Sequence, residues 1–452
     1  MSLHIIILAA GQGSRMKSAL PKVLHKVAGK PMLQHVIDTV KVLDTDGIHV
    51  VVGHGAEKVK EVIKGDITWC LQAKQLGTGH AVAQALPNIP ANSKVLILYG
   101  DVPLISETTL ASMLTKVDEE HISLLTVQLE NPKGYGRIIR NFEGNIKAII
   151  EEKDATEEVK TINEVNTGIL ALSSNHLHKY IPMLGNSNAQ AEYYLTDIVE
   201  LANKGGNKIR AEHPEFEQEV QGVNNRLQLC ELECWYQSKI SEHLMLNGVT
   251  LYDPNRIDVR GSLNCGQDVE IDINCIFIGK VDIADGVKIG PNCIIENSKI
   301  GANTTVLANS IIESSIVDED VSIGPFARMR PGTELKRNSK IGNFVETKKT
   351  VVGEGSKINH LSYVGDSILG KKVNVGAGTI TCNYDGVNKF LTEINDGVFV
   401  GSNTSLVAPV KLGKNCTIGA GSIITKEVDE DQLAIARSKQ KNIDGWQRPT
   451  KK

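Results

Sequence analysis

Residues 299–324 read KIGANTTVLANSIIESSIVDEDVSIG. Aliphatic residues fall six apart at Ile300, Val306 and Ile312, and an aliphatic residue followed by glycine stands at Ile300-Gly301 and Ile323-Gly324. The same pair recurs at Ile278, Ile289, Ile341, Val352, Val364, Leu369, Val375, Val400, Leu412 and Ile418, each with glycine next. A six-residue repeat is the signature of a parallel β-helix, in which three hexads make one triangular coil. The aliphatic residue of each hexad points inward, glycine or another small residue makes the turn, and stacked coils bury one apolar column. Residues 248–452 are therefore expected to form an all-β parallel β-helix with a C-terminal tail.

Upstream the grammar is different. HIIILAA, GIHVVVG, KVLILYG and ISLLTVQL are continuous apolar runs that suit buried strands. Between them, MLQHVIDTVKVL and TGHAVAQAL have helical spacing. Alternating strands and helices imply an α/β domain with a mainly parallel sheet over residues 1–223. Residues 224–247 contain no proline or glycine and read as a linker helix, which Asn247-Gly248 ends.

The first strand runs into LAAGQGSRM, Leu8 to Met16. Gly11 and Gly13 supply two glycines of a dinucleotide loop, but Met16 stands where the third belongs, and no Gly-Lys-Ser or Gly-Lys-Thr exists for a Walker loop. Read alone, the segment is either a phosphate cradle of bare backbone N–H groups, with Arg15 and Lys22 adding charge, or a plain strand-to-helix turn. Asp101 follows the apolar run VLILY and Gly100, so its carboxylate emerges at a strand's carboxyl end, where α/β sheets bind ligands.

The chain has 452 residues and a formal net charge of −4, which suits two or three domains and argues against general nucleic-acid binding. Its eight cysteines include no C-x-x-C pair, so buried free thiols in a reducing compartment are expected, not a disulfide frame or zinc site. The apolar start, Ile5 to Ala10, is too short to span a bilayer and lacks the flanks of a signal peptide. A cytoplasmic protein without a membrane segment is expected.

Among the twelve histidines, His360 in NHLSYVGD is the strongest general-base candidate, with Glu346 in NFVET a possible orienter of its ring. NYDG, at Asn383 to Gly386, interrupts the hexad rhythm and should project as a loop.

Taken together, LAAGQGSRM, LQAKQLGTGHA, YGDVPLI, GYGRI, NTGIL, GVNNRLQL, FARMRPG, GNFVETKK, NHLSYVGD and GAGTITCNYDG resemble one family over nearly the whole chain. It is the bifunctional bacterial N-acetylglucosamine-1-phosphate uridylyltransferase/glucosamine-1-phosphate acetyltransferase. The resemblance implies a Rossmann-like nucleotidyltransferase domain followed by a left-handed β-helix. It implies two reactions: acetyl transfer from acetyl-CoA to glucosamine 1-phosphate, then uridylyl transfer from UTP, giving UDP-N-acetylglucosamine for cell-wall precursors. Ser14 stands where the family usually has threonine, which keeps the hydroxyl.

By the same resemblance, Leu8, Ala9, Gly11, Gly13, Arg15, Lys22, Gln72, Gly77, Thr78, Tyr99, Gly100 and Asp101 face the nucleotide. Gly136, Glu151 and Asn166 face its sugar, and Asp101 with Asn224 hold Mg²⁺. Arg330, Lys348, Tyr363, Asn374, Asn383, Tyr384 and Lys389 contact the acetyl acceptor, and Ala377, Ser402, Ala420 and Arg437 the acetyl-CoA. A homotrimer is implied, as are small-molecule substrates with no nucleic acid or membrane partner. Two rivals stand beside this reading: a nucleotidyltransferase whose β-helix only regulates or assembles, and a non-catalytic scaffold.

Overall fold

The computed structural model describes residues 1–451 and divides into two compact units, Met1–Tyr236 and Gln237 onward. In the first, a nine-stranded sheet runs in the order Lys208–Glu212, His121–Gln128, Glu164–Ser173, Lys94–Tyr99, Leu3–Ala9, Gly47–Val52, Thr68–Leu71, with Arg137–Arg140 and Ile146–Ile150 off this path. The central strand explains why the sheet is buried on both faces. Its side chains alternate, so Ile5 and Ile7 pack with Val36, Ile37 and Val40, while Ile6 and Leu8 pack on the other side with Val82 and Ala85.

Leu3–Ala9 pairs in parallel with Gly47–Val52 and Lys94–Tyr99, and Gly47–Val52 with Thr68–Leu71. Their carboxyl ends therefore share one edge, where the loop after Ala9 and the residue Asp101 lie. The sheet is mixed, not wholly parallel: Glu164–Ser173, which contains NTGIL, is antiparallel to both of its neighbours.

The linker helix spans Arg226–Leu246, and Gly248 past its end has φ 93°. The boundary between the units falls inside it. Leu232 packs with Met16, Val27, Met32 and Val223, while Leu244 belongs to the β-helix core with Val249 and Leu251.

The second unit is a three-sided parallel β-helix. One column runs Ile289, Val306, Ile323, Ile341, Ile358, Val375, Val400, Ile418, each in register with the next and each at most 3% exposed. Truncating one such side chain to alanine costs about 2–5 kcal/mol in a well-packed core.

Two expectations are corrected here. Ile278 does not point inward, because Phe277 fills that place. The glycine after the aliphatic residue does not make the turn at positions such as Gly342; it permits coils to stack, because a Cβ there would lie 1.9 Å from the Asn359 carbonyl oxygen. Positive φ belongs mainly to corner residues such as Asn292, Asn303, Asn403 and Asn415. Three of the corners are large and apolar: Phe326, Phe344 and Leu361 take positive φ, and all three are exposed.

The cysteine expectation also needs correcting. Cys70, Cys275, Cys293 and Cys416 are buried, but Cys230 and Cys234 are exposed on the linker helix. No helix among the described residues is long and apolar enough to cross a membrane.

Candidate active sites

At the carboxyl edge of the first sheet lies a cleft of about 320 Å³. Leu8, Ala9, Gly11, Lys22, Gln72, Gly77, Thr78, Tyr99 and Asp101 line it, so nine of the residues expected at the nucleotide meet there. A Cβ at Gly11 would meet nothing within 4 Å, which leaves its backbone open to the cleft. Gly13 acts differently. Its φ is +65°, and a Cβ would lie 2.6 Å from the Lys22 Cβ, so its bareness lets Lys22 fold in. Gly100 likewise stands behind the cleft, packed against Leu33, Ala9 and Val23.

Gln72 is 3% exposed, and its Nε2 donates to the Gly77 carbonyl at 3.1 Å and lies 3.1 Å from His80 Nδ1. Its amide nitrogen thus faces protein partners, which leaves the carbonyl oxygen as the polar group turned to other contacts.

Lys22 sits between two oxygens. Its Nζ forms an ion pair with the Asp101 carboxylate and donates to Asn224 Oδ1 at 3.1 Å, while Arg15 donates to the same Asn224 oxygen at 2.9 Å. Asp101 and Asn224, far apart in sequence, therefore converge on one cation. A carboxylate and an amide oxygen are hard donors, and Mg²⁺ characteristically takes few protein ligands and fills its shell with phosphate and water. The donor set fits that ion.

Gly136, Glu151 and Asn166 also come together. The Asn166 N–H donates to the Gly136 carbonyl at 2.8 Å, and a Cβ on Gly136 would lie 3.4 Å from the Glu151 carboxylate. Burial holds the Glu151 carboxyl above the usual range, opposed by the Thr196 hydroxyl, which donates to it at 3.0 Å. Tyr99 bridges this group and the cleft. Burial pushes its phenol up, with the charges of Glu151 and Asp101 adding to the effect.

In the β-helix, His360 is exposed at the end of strand Lys357–His360. Its Nδ1 meets Asn343 Oδ1 at 2.7 Å. The orienter is therefore Asn343, not Glu346; Glu346 pairs with Arg330 at 2.9 Å. Asn343 is His360's register partner one coil away, and Glu346 is paired with Tyr363. An amide oxygen only accepts, so a hydrogen bond at this contact calls for the tautomer with its proton on Nδ1, which leaves Nε2 as the acceptor nitrogen.

The same register continues from His360 through Ala377 and Ser402 to Ala420, one residue per coil. Small side chains thus form a row leading away from the imidazole. Arg437 donates to the Ala420 carbonyl at the far end.

Lys348 follows Arg330 in register, and the Lys389 ammonium packed against it holds Lys348 below the usual lysine range, with Arg330 adding to the effect. These cations form a cluster that suits a phosphate. Tyr363 lies over Gly365, and Asn374 is on the Lys357–His360 sheet. Asn383 donates to the Asp366 carboxylate. Tyr384 bridges to Lys389 across the projecting loop but turns its hydroxyl onto the Gly386 carbonyl.

Asn343, Thr196 and the cleft residues Gln75 and Glu192 were missed in the sequence. Asn343 was visible in GNFVETKK, but choosing it over Glu346 requires coil register. The other three carry no spacing signal.

Two family models match the chain: the MobA-like NTP transferase domain over residues 5–142 and the bacterial transferase hexapeptide (six repeats) over residues 392–426. The coil is thus the left-handed β-helix of hexapeptide transferases. Among curated relatives, "Bifunctional protein GlmU" of Marinobacter nauticus is 60% identical, covering 99% of both chains. The protein of the same name from Cellvibrio japonicus is 56% identical over the full length of both. That of Idiomarina loihiensis is 54% identical over 100% of this chain and 99% of its own. With a cleft at the carboxyl edge of the sheet in one unit and a histidine at the foot of a small-residue row in the other, the chain belongs to the GlmU family, bifunctional enzymes that acetylate glucosamine 1-phosphate and transfer a uridylyl group from UTP to the product.

Proposed function

We propose that His360 Nε2 takes a proton from the amine of glucosamine 1-phosphate as that nitrogen attacks the thioester of acetyl-CoA. The N–C bond forms, the C–S bond breaks, and CoA leaves as the thiolate. Arg330, Lys348 and Lys389 hold the sugar phosphate, and Ala377, Ser402 and Ala420 give the pantetheine arm a close approach. Arg437 serves the nucleotide end of CoA, and Tyr363, Asn374, Asn383 and Tyr384 contact the sugar and acetyl group. The single observation that carries this reading is the register that puts His360 at the foot of the small-residue row.

In the first unit, the phosphate of N-acetylglucosamine 1-phosphate attacks the α-phosphorus of UTP in line, and pyrophosphate leaves. Gly11 brings its N–H to the triphosphate, and Gln72, Gly77 and Thr78 read the uracil. Arg15 and Lys22 neutralise charge at phosphorus, and Gly136, Glu151 and Asn166 grip the acetamido sugar. Asp101 and Asn224 would hold Mg²⁺, which supplies charge neutralisation between the attacking and reacting phosphates.

The domain limits follow the same division: 1–223 for uridylyl transfer, 224–247 for the linker helix and 248–452 for acetyl transfer. A homotrimer is supported by Phe326, Phe344 and Leu361: three exposed apolar corners in a strained conformation are worth keeping where a second copy covers them. Acetyl-CoA and UTP as substrates match a cytoplasmic location.

The test supplies glucosamine 1-phosphate, acetyl-CoA, UTP and Mg²⁺ and follows free CoA and UDP-N-acetylglucosamine separately. His360→Ala should stop CoA release yet still consume pre-acetylated sugar phosphate, and Asp101→Asn should do the reverse. CoA release at the normal rate in His360→Ala would remove that residue from the mechanism.

A further inference from the structure

Asp101 and Asn224 do not wait with open oxygens: the Lys22 ammonium sits on both, and Arg15 also donates to the Asn224 oxygen. The Lys22 and Asp101 side chains are only 14% and 18% exposed, so water screens their charges poorly. Lys22 is also guided there by the backbone. It begins the short turn Lys22–Leu24 after Pro21, and the bare Gly13 leaves the space its stem occupies.

A divalent ion bound at about 2.1 Å from the same oxygens would meet this ammonium at contact distance, so both cations cannot occupy the oxygen pair. Lys22 also lines the nucleotide cleft. A triphosphate there offers the ammonium another anionic partner.

We propose that Lys22 is a place-holding cation that keeps the divalent metal out of the Asp101–Asn224 pair until a nucleotide triphosphate draws it away. This inference rests on the metal reading given above. It makes metal and nucleotide binding reciprocal: each strengthens the other because both require Lys22 to move. It also makes the metal alone a weak ligand of the free enzyme and guards against occupancy without substrate.

The experiment measures Mn²⁺ binding to the full chain without nucleotide, from the electron paramagnetic resonance signal of the free ion. Lys22→Met keeps the apolar stem and removes the charge, and Lys22→Gln repeats the neutralisation with a different shape. A like charge a few ångströms away changes ionic equilibria by about one to three powers of ten. Both variants should therefore bind Mn²⁺ at least about tenfold more tightly than wild type, and Asp101→Asn added to either should remove that gain. Adding a non-hydrolysable UTP analogue should tighten Mn²⁺ binding more in wild type than in Lys22→Met. Equal or weaker Mn²⁺ affinity in both neutral variants, with Asp101 still required, would overturn the place-holder while leaving the metal site. Binding indifferent to Asp101→Asn in every background would overturn the metal site and the place-holder with it.

Discussion

Asn343 offers the sharpest test of the acetyl-transfer site, because it reaches His360 through one hydrogen bond of 2.7 Å and stands one coil away. Replacing it by alanine removes a neutral, partly exposed hydrogen bond worth about 0.5–1.5 kcal/mol. At about 1.4 kcal/mol per tenfold, kcat/KM for glucosamine 1-phosphate should fall about two- to tenfold. Asn343→Asp is the more telling change. It keeps the acceptor but places a carboxylate against Nδ1, which favours the imidazolium. A neighbouring opposite charge raises a basic group by about one to three pH units, and the exposure of His360 points to the low end. The acid limb of kcat/KM against pH should therefore move up by about one unit, leaving the variant about tenfold slower on that limb and close to normal on the alkaline side. The assay is CoA release at saturating acetyl-CoA from about pH 5 to 9, with uridylyl transfer of pre-acetylated sugar followed in parallel as a control that should not move. A profile for Asn343→Asp that superimposes on wild type would refute the tautomer argument, and so would a shifted limb in Glu346→Gln.

Three further outcomes follow from the first unit. Gly13→Ala must hold φ near +65° with a Cβ 2.6 Å from that of Lys22, so uridylyl transfer should drop about ten- to a hundredfold in kcat/KM. Gly11→Ala meets nothing within 4 Å and should fold normally; a raised KM for UTP would then report backbone contact with the ligand, and an unchanged KM would deny it. The buried ring pair His4–His49, with Nδ1 to Nε2 at 3.1 Å, sets a pH dependence of stability. Burial lowers both rings, His49 from 6.5 to about 4. The unfolded chain therefore binds protons that the folded chain refuses between those values. Stability should be full above about pH 6.5, fall by roughly 3 kcal/mol as pH drops and level off below about 4. Urea unfolding at pH 7.5 and pH 5 measures this, and an undiminished pH slope in His49→Gln would assign it elsewhere.

The features that were legible in the sequence share a physical cause: they are local. Six-residue spacing sufficed for the β-helix because each inward aliphatic residue meets the next coil at the same angle, as the column from Ile289 to Ile418 does. Asp101 was legible because a carboxylate after a buried strand must emerge at its end. What escaped depends on which coil or strand lies alongside. Glu346 and Asn343 sit three residues apart in one motif, and only the ladder Asn343–His360 separates orienter from bystander. The row from His360 to Ala420 is hidden for a related reason. The loop around NYDG lies between Ala377 and Ser402, so the register resumes only after a segment that does not count toward it.

The three exposed corners were invisible for the opposite reason. Phe326 and Phe344 stack at 5.2 Å where most other coils place Asn or Gly, so a local rule is broken rather than obeyed. A sequence reading built on periodicity counts those residues as noise. Backbone conformation identifies them as positions where strain is retained, and such positions cluster where another molecule or a reaction has to be served. Lys22 was legible only in part. Its sequence context offers a charge beside the glycine loop, whereas its place between Asp101 and Asn224 gives that charge a competitor and hence a part in the order of binding.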